Sequence, residues 1–175
     1  MVANPYAQDV LRHAMAALLI LAAASGSAGC SWRPAPPPSP PEDTCTGADG
    51  PRPDTVRRAI AAVPPVAADN PWTETADGHT RDCRLHWVKL SLRDAAPDGP
   101  EQLLFFDRDT ALGSPTADPK PYTTVVSAGL RTVTVQYQWR VDDDPPCCPS
   151  RGATTRYQVA DGRLTALDPI PLLAG

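Results

Sequence analysis

Residues 130–141 read Leu-Arg-Thr-Val-Thr-Val-Gln-Tyr-Gln-Trp-Arg-Val, and this stretch decides the fold. Val133, Val135, Tyr137, Trp139 and Val141 alternate with Thr132, Thr134, Gln136, Gln138 and Arg140. Side chains along a strand point to opposite faces in turn, so this period of two predicts a strand with one buried face and one wet face. Downstream, Thr154–Ala160 alternates in the same way, with Thr155, Tyr157 and Val159 on one side. Asp161-Gly162 follows, and both positions tolerate positive φ, which predicts a two-residue hairpin turn. Arg163–Leu167 is expected to return beside the preceding strand, and Asp168-Pro169-Ile170-Pro171 ends it.

Upstream, Leu85–Leu92, Gln102–Asp107 and Tyr122–Ser127 also read as strands. Gln102–Asp107 is bulky throughout and is expected to be buried on both faces. The turn formers of Ala95–Pro100 separate the first two. Asp54–Val63 reads as a helix, because Val56, Ala59, Ile60 and Val63 fall at i, i+3, i+4 and i+7. Asp54 is placed to cap it, and Pro64-Pro65 stops it. The expected fold is α+β: one short N-terminal helix packed on an antiparallel sheet of about six strands. A small β-barrel or sandwich is the alternative.

The amino-terminal region reads as an address. The amino terminus and Arg12 precede an unbroken apolar run, residues 14–24, and Ser25–Gly29 are small. A positive end, an apolar core and a small-residue exit make a secretory signal. The run is short for a membrane span, which needs about 20 apolar residues. Ser27-Ala28-Gly29-Cys30 resembles the bacterial lipobox, although Ser27 stands where a branched aliphatic is usual. That resemblance implies a diacylglycerol on the Cys30 thiol and a new amino terminus there. Ordinary cleavage near Ala28 or Gly29 and an uncleaved anchor are the alternatives. The expected organisation is a signal peptide at 1–29, a lipidated cysteine with a Pro-rich linker at 30–42, and one α+β domain at 43–175. The linker should be extended and semi-rigid.

The chain carries 16 basic and 20 acidic residues, net −4, with no basic stripe. Nucleic acid and anionic head groups are therefore poor partners by composition. Beyond Cys30, four cysteines remain: Cys45, Cys83, Cys147 and Cys148. An even number in an exported domain points to disulfides. Cys45–Cys83 is the favoured pair, with Cys147 and Cys148 bonded to each other or partly reduced. The crossed arrangements compete with it. No C-x-x-C occurs, and adjacent cysteines hold one tetrahedral metal awkwardly, so no metal or other cofactor is expected.

The strand region is similar to the LppP/LprE family of actinobacterial lipoproteins. The similarity is carried by Cys83-Arg84-Leu85-His86-Trp87-Val88, Glu101–Asp107 with Leu112-Gly113, Thr132–Trp139, the Asp161-Gly162 turn and Leu167–Pro171. It spans roughly residues 45–171. It implies a lipidated envelope protein of the kind seen in mycobacteria and their relatives. It supplies no reaction, cofactor or catalytic residue.

Catalytic signals are sparse. There is no G-x-S-x-G elbow and no P-loop. His79 lies in a segment read as a polar loop, and His86 is expected to point to solvent or to a satisfied polar site. Asp142-Asp143-Asp144 lacks the alternating ligands and glycine of an EF loop, so a solvated turn is expected rather than calcium. Lys89, Arg93, Arg131 and Arg140 read as dispersed surface charges. Trp87, Phe105, Tyr137 and Trp139 read as core, or as the lining of an apolar pocket. The expected protein is an exported cell-envelope lipoprotein, anchored to the cell membrane through Cys30 and facing outside the cytoplasm. Its expected role is non-catalytic binding of an envelope protein or an apolar envelope molecule. A small exported enzyme using His79 or His86, and a passive structural lipoprotein, are the alternatives.

Overall fold

The computed structural model describes residues 42–171. It contains helix α1 (Pro53–Ala61) and eight strands: β1 (Trp72–His79), β2 (Leu85–Leu92), β3 (Glu101–Asp107), β4 (Thr110–Gly113), β5 (Thr123–Ala128), β6 (Val133–Trp139), β7 (Arg151–Ala160) and β8 (Arg163–Ala166). The strands form two four-stranded antiparallel meanders, β1-β2-β3-β4 and β5-β6-β7-β8. The single sheet of about six strands is thus corrected to two open sheets, and neither closes into a barrel. Among the described residues no helix is long and apolar enough to cross a membrane.

The first sheet is a middle layer. One of its faces presents Leu85, Leu103 and Phe105 to Val133, Val135, Tyr137 and Tyr157 of the second sheet. The other presents Val88, Leu90, Leu104 and Phe106, together with Trp72, to Val56, Ala59, Ile60 and Val63 along the helix side. This sandwiching explains why the five residues Gln102–Phe106 are all buried. In β6 the alternation is realised directly: Val133, Val135 and Tyr137 are buried and the residues between them are not.

Two strands escaped the sequence reading. β1 is an edge strand in which only Trp72 is buried, so it lacks an apolar period. It also carries a bulge between Glu74 and Ala76. β4 has four residues and none is fully buried. Both are recruited by hydrogen bonding to a buried neighbour rather than by their own hydrophobicity.

The helix start is also corrected. Arg52 is the N-cap, Pro53 opens the first turn, and Asp54 lies inside that turn rather than capping it. Pro is well suited there because its missing N–H would be unsatisfied in any case. The backbone N–H of Arg52 donates instead to Oδ1 of Asp109, at 2.8 Å, in the turn between β3 and β4. The Arg52 guanidinium lies 2.6 Å from the other oxygen of the same carboxylate.

Candidate functional site

Helix α1 has nine residues and is about 14 Å long at 1.5 Å per residue. β2 has eight residues and runs about 26 Å. One short helix therefore covers only part of its sheet. The Cys45–Cys83 disulfide ties part of the remaining cover in place by holding the segment before the helix against the β1–β2 turn. Asp43 and Asp49 order that segment by accepting the backbone N–H groups of Cys45 and Thr46.

Between this segment, the helix and the end of β1 lies a cleft of about 570 Å³. Val56, Ile60 and Val88 give it apolar walls, and Glu74, Asp77 and His79 give it a polar rim. Burial, and then the charge of Asp77, push the Glu74 carboxyl above its ordinary value. Trp87 and Gly78 also border the cleft. They are register partners on β2 and β1. A Cβ on Gly78 would fall 2.7 Å from Cζ2 of Trp87, so the indole can lie across β1 only where that neighbour has no side chain. The Trp87 Nε1 is buried with no hydrogen-bond partner among the described residues.

His79 closes β1 and pairs with His86, which corrects the expectation that it lies in a loop. Its Nε2 is 3.2 Å from Oδ2 of Asp43, and its Nδ1 is 3.1 Å from the carbonyl of Thr80. Both ring nitrogens thus face acceptors of the protein itself, which leaves neither directed at a nucleophile. His86 is buried, and its Nε2 is 3.1 Å from the carbonyl of Cys83. Of the two expected environments for His86, the satisfied polar site is the one found. Gly50 lies directly on its ring, where a Cβ would fall 2.8 Å from Cε1. Asp43, Cys45 and His79 bring three potential metal-ligand atoms within 4.8 Å of one another. The sulfur of Cys45 is bonded to Cys83, so the oxidised protein offers two of those ligands, fewer than a zinc site needs.

The remaining predicted residues lie elsewhere. Cys30 falls outside the described residues. Phe105 and Tyr137 are buried between the two sheets, with Trp87 packed on their flank, and Trp139 is half-buried at the end of β6. Of these four aromatics, Trp87 is the one that borders the cleft. Cys147 and Cys148 are bonded to each other in an exposed loop between β6 and β7. Asp144 organises that loop, accepting the N–H groups of Val141 at 3.0 Å and Ser150 at 2.9 Å, which hold its carboxyl below the ordinary value. Lys89 is not a dispersed surface charge: it pairs with Glu101 at 2.7 Å, and both side chains are largely covered. The second oxygen of Glu101 accepts the N–H of Thr123, linking β3 to the start of β5. Sequence reasoning offered an apolar pocket that included Trp87 but missed this cleft's polar wall, because that wall belongs to β1, the strand without a periodic signal.

The model of the LppP/LprE lipoprotein family matches residues 77–162, from the end of β1 to the β7–β8 turn. Proteins of Mycobacterium bovis and Mycobacterium tuberculosis that carry the lipoprotein name LppP are 52% identical to this chain over 147 residues, which is 83% of this chain and 84% of theirs. No solved structure matches.

Proposed function

The chain belongs to the LppP/LprE lipoprotein family, and on that premise we propose that it is an exported, membrane-tethered binding module. In this reading Cys30 carries the lipid. The Pro-rich segment after it spaces the domain from the bilayer, and the domain faces outside the cytoplasm. The binding surface is the cleft beside α1, and the ligand is an apolar envelope molecule or an apolar segment of an envelope protein. One observation carries the reading: beside the helix about 570 Å³ is left open over the apolar side chains of Val56, Ile60 and Val88. Ligand sites of that size, with apolar walls and a few polar groups, are the usual form of small-molecule pockets. The two disulfides fit an oxidising compartment.

Two measurements test it. Cys30→Ala should move the protein from the membrane fraction to the soluble one, and persistence in the membrane would remove the lipid anchor from the proposal. Native mass spectrometry of the full chain, released from detergent in the spectrometer, should show a bound adduct. Ile60→Trp, which fills the cleft, should abolish it at unchanged thermal stability. An adduct that survives in Ile60→Trp would place the ligand elsewhere. A bare mass for the wild type would end the binding reading.

A further inference from the structure

We infer that the domain holds a second site on the other side of the β1–β2 turn, built for a phosphate group. Three turns meet there, and each brings one arginine: Arg84 before β2, Arg108 between β3 and β4, and Arg131 between β5 and β6. All three border one cleft of about 560 Å³, with Gln158 of β7 on its wall. The backbone holds the turns in place. The N–H of Arg108 donates to the carbonyl of Arg84 at 2.8 Å, and the N–H groups of Arg81 and Asp82 donate to the carbonyls of Gly129 and Leu130, each at 3.0 Å.

The arginines of this cleft differ in how far they are paired. Arg84 is committed to Asp107 by two parallel hydrogen bonds, from Nε at 3.0 Å and from Nη2 at 2.9 Å. Asp82 spends one oxygen on the Thr80 hydroxyl at 2.7 Å and the Arg84 N–H at 3.2 Å. Its other oxygen lies 3.8 Å from Nε of Arg131, too long for a hydrogen bond. Arg108 has no carboxylate within ion-pair distance among the described residues. Within ion-pair distance three guanidinium groups thus meet two carboxylates, with Asp49 farther out in reach of the Arg108 charge, and Arg108 and Arg131 keep free donors. Arg108 also sits at φ 51, a left-handed position that Gly or Asn fills more cheaply, yet it carries a cation. Free donors arriving from two separate turns can grip different oxygens of a tetrahedral oxyanion, and planar guanidinium forks bind phosphate bidentately. The low net charge of the chain does not oppose such a site, because a phosphate group reads local charge.

Equilibrium dialysis of radiolabelled inorganic phosphate against the full chain in neutral detergent, at constant chloride, tests the inference. Saturable uptake of about one phosphate per chain with a Kd near or below about 1 mM is expected. Arg108→Gln and Arg131→Gln should each weaken it by about tenfold or more. Arg151→Gln, at the far end of β7, should leave it unchanged. Absence of saturable uptake up to about 10 mM overturns the site, as does an Arg108→Gln protein that binds like the wild type. Competition identifies the source of the group. Displacement by glycerophosphoglycerol at lower concentration than by unlabelled phosphate assigns the site to a phospholipid head group, and the reverse order assigns it to free phosphate.

Discussion

The two faces of the middle sheet are built from the same strands but are covered differently. On the sandwich side, Leu85, Leu103 and Phe105 meet a second sheet of matching extent, and the enclosed hydroxyls of Tyr137 and Tyr157 pair with each other at 2.8 Å. On the helix side, nine helical residues and a disulfide-pinned segment cover the same sheet incompletely, leaving His86 and Gln102 buried among the apolar side chains and a cleft at the edge. A sheet can match a sheet, whereas one short helix cannot. The most deeply buried residues therefore gather on the sandwich face, and the apolar cleft beside α1 opens on the other.

The largest expected effect is on the sandwich face. Phe105→Ala should lower the unfolding free energy by about 3–5 kcal/mol, and Ile60→Ala on the helix by less than half as much, because Ile60 is only partly buried. Chemical denaturation of both variants checks the ratio, and equal losses would break the distinction between the faces.

Removing the disulfide with Cys45→Ala/Cys83→Ala comes next. The bridge spans 38 residues, and the chain-entropy model puts the loss at about 4 kcal/mol at most. Hydrogen exchange should rise in residues 43–51 and at the end of β1 while β6 stays protected. Uniform loss of protection would show that the two sides unfold as one.

Tyr157→Phe should cost about 1–3 kcal/mol by leaving the Tyr137 hydroxyl without its partner in a dry interior. Desolvation, and then the bond to Tyr157, hold the Tyr137 phenol above its ordinary value. Adding Tyr137→Phe should cost less than the sum of the two single changes, and strict additivity would refute the pairing.

The smallest effect is electrostatic. Asp109 is lowered to about 2, first by the Arg52 N–H and then by the Thr55 hydroxyl and the Arg52 side chain. Asp168 is also lowered to about 2, first by the Arg156 guanidinium and then by the Arg156 N–H. Their ordinary value is 3.8. Both contributions are present above that pH and are lost as pH falls toward 2. The Tm of the wild type should therefore fall more steeply across this acid range than that of Asp109→Asn/Asp168→Asn. Parallel curves would remove both pairs as contributors.

Residues with a repeating pattern were legible before any coordinates. The alternation of Val133, Val135 and Tyr137 marked β6, the Asp161-Gly162 dipeptide marked a turn now seen with both φ values positive, and the run Leu103–Phe106 marked a strand buried on both faces. The Cys45–Cys83 bridge was favoured from cysteine number and compartment, and it is present. β1 and β4 were illegible, because a polar edge strand and a four-residue strand are held by a neighbour's backbone and leave no period in their own side chains.

The sequence by itself determined the strands that bury their own side chains, the helix, and membership of a lipoprotein family. Each rests on local pattern or on shared residues, and such information lies along the chain. Only the tertiary structure decided that the strands divide into two sheets, that Asp109 rather than Asp54 serves the helix start, and that β1 walls a cleft. It alone brought Arg84, Arg108 and Arg131 from separate turns to one place. Pairing, capping by a distant side chain and local charge depend on distances between residues far apart in sequence, and no periodicity or composition encodes those distances.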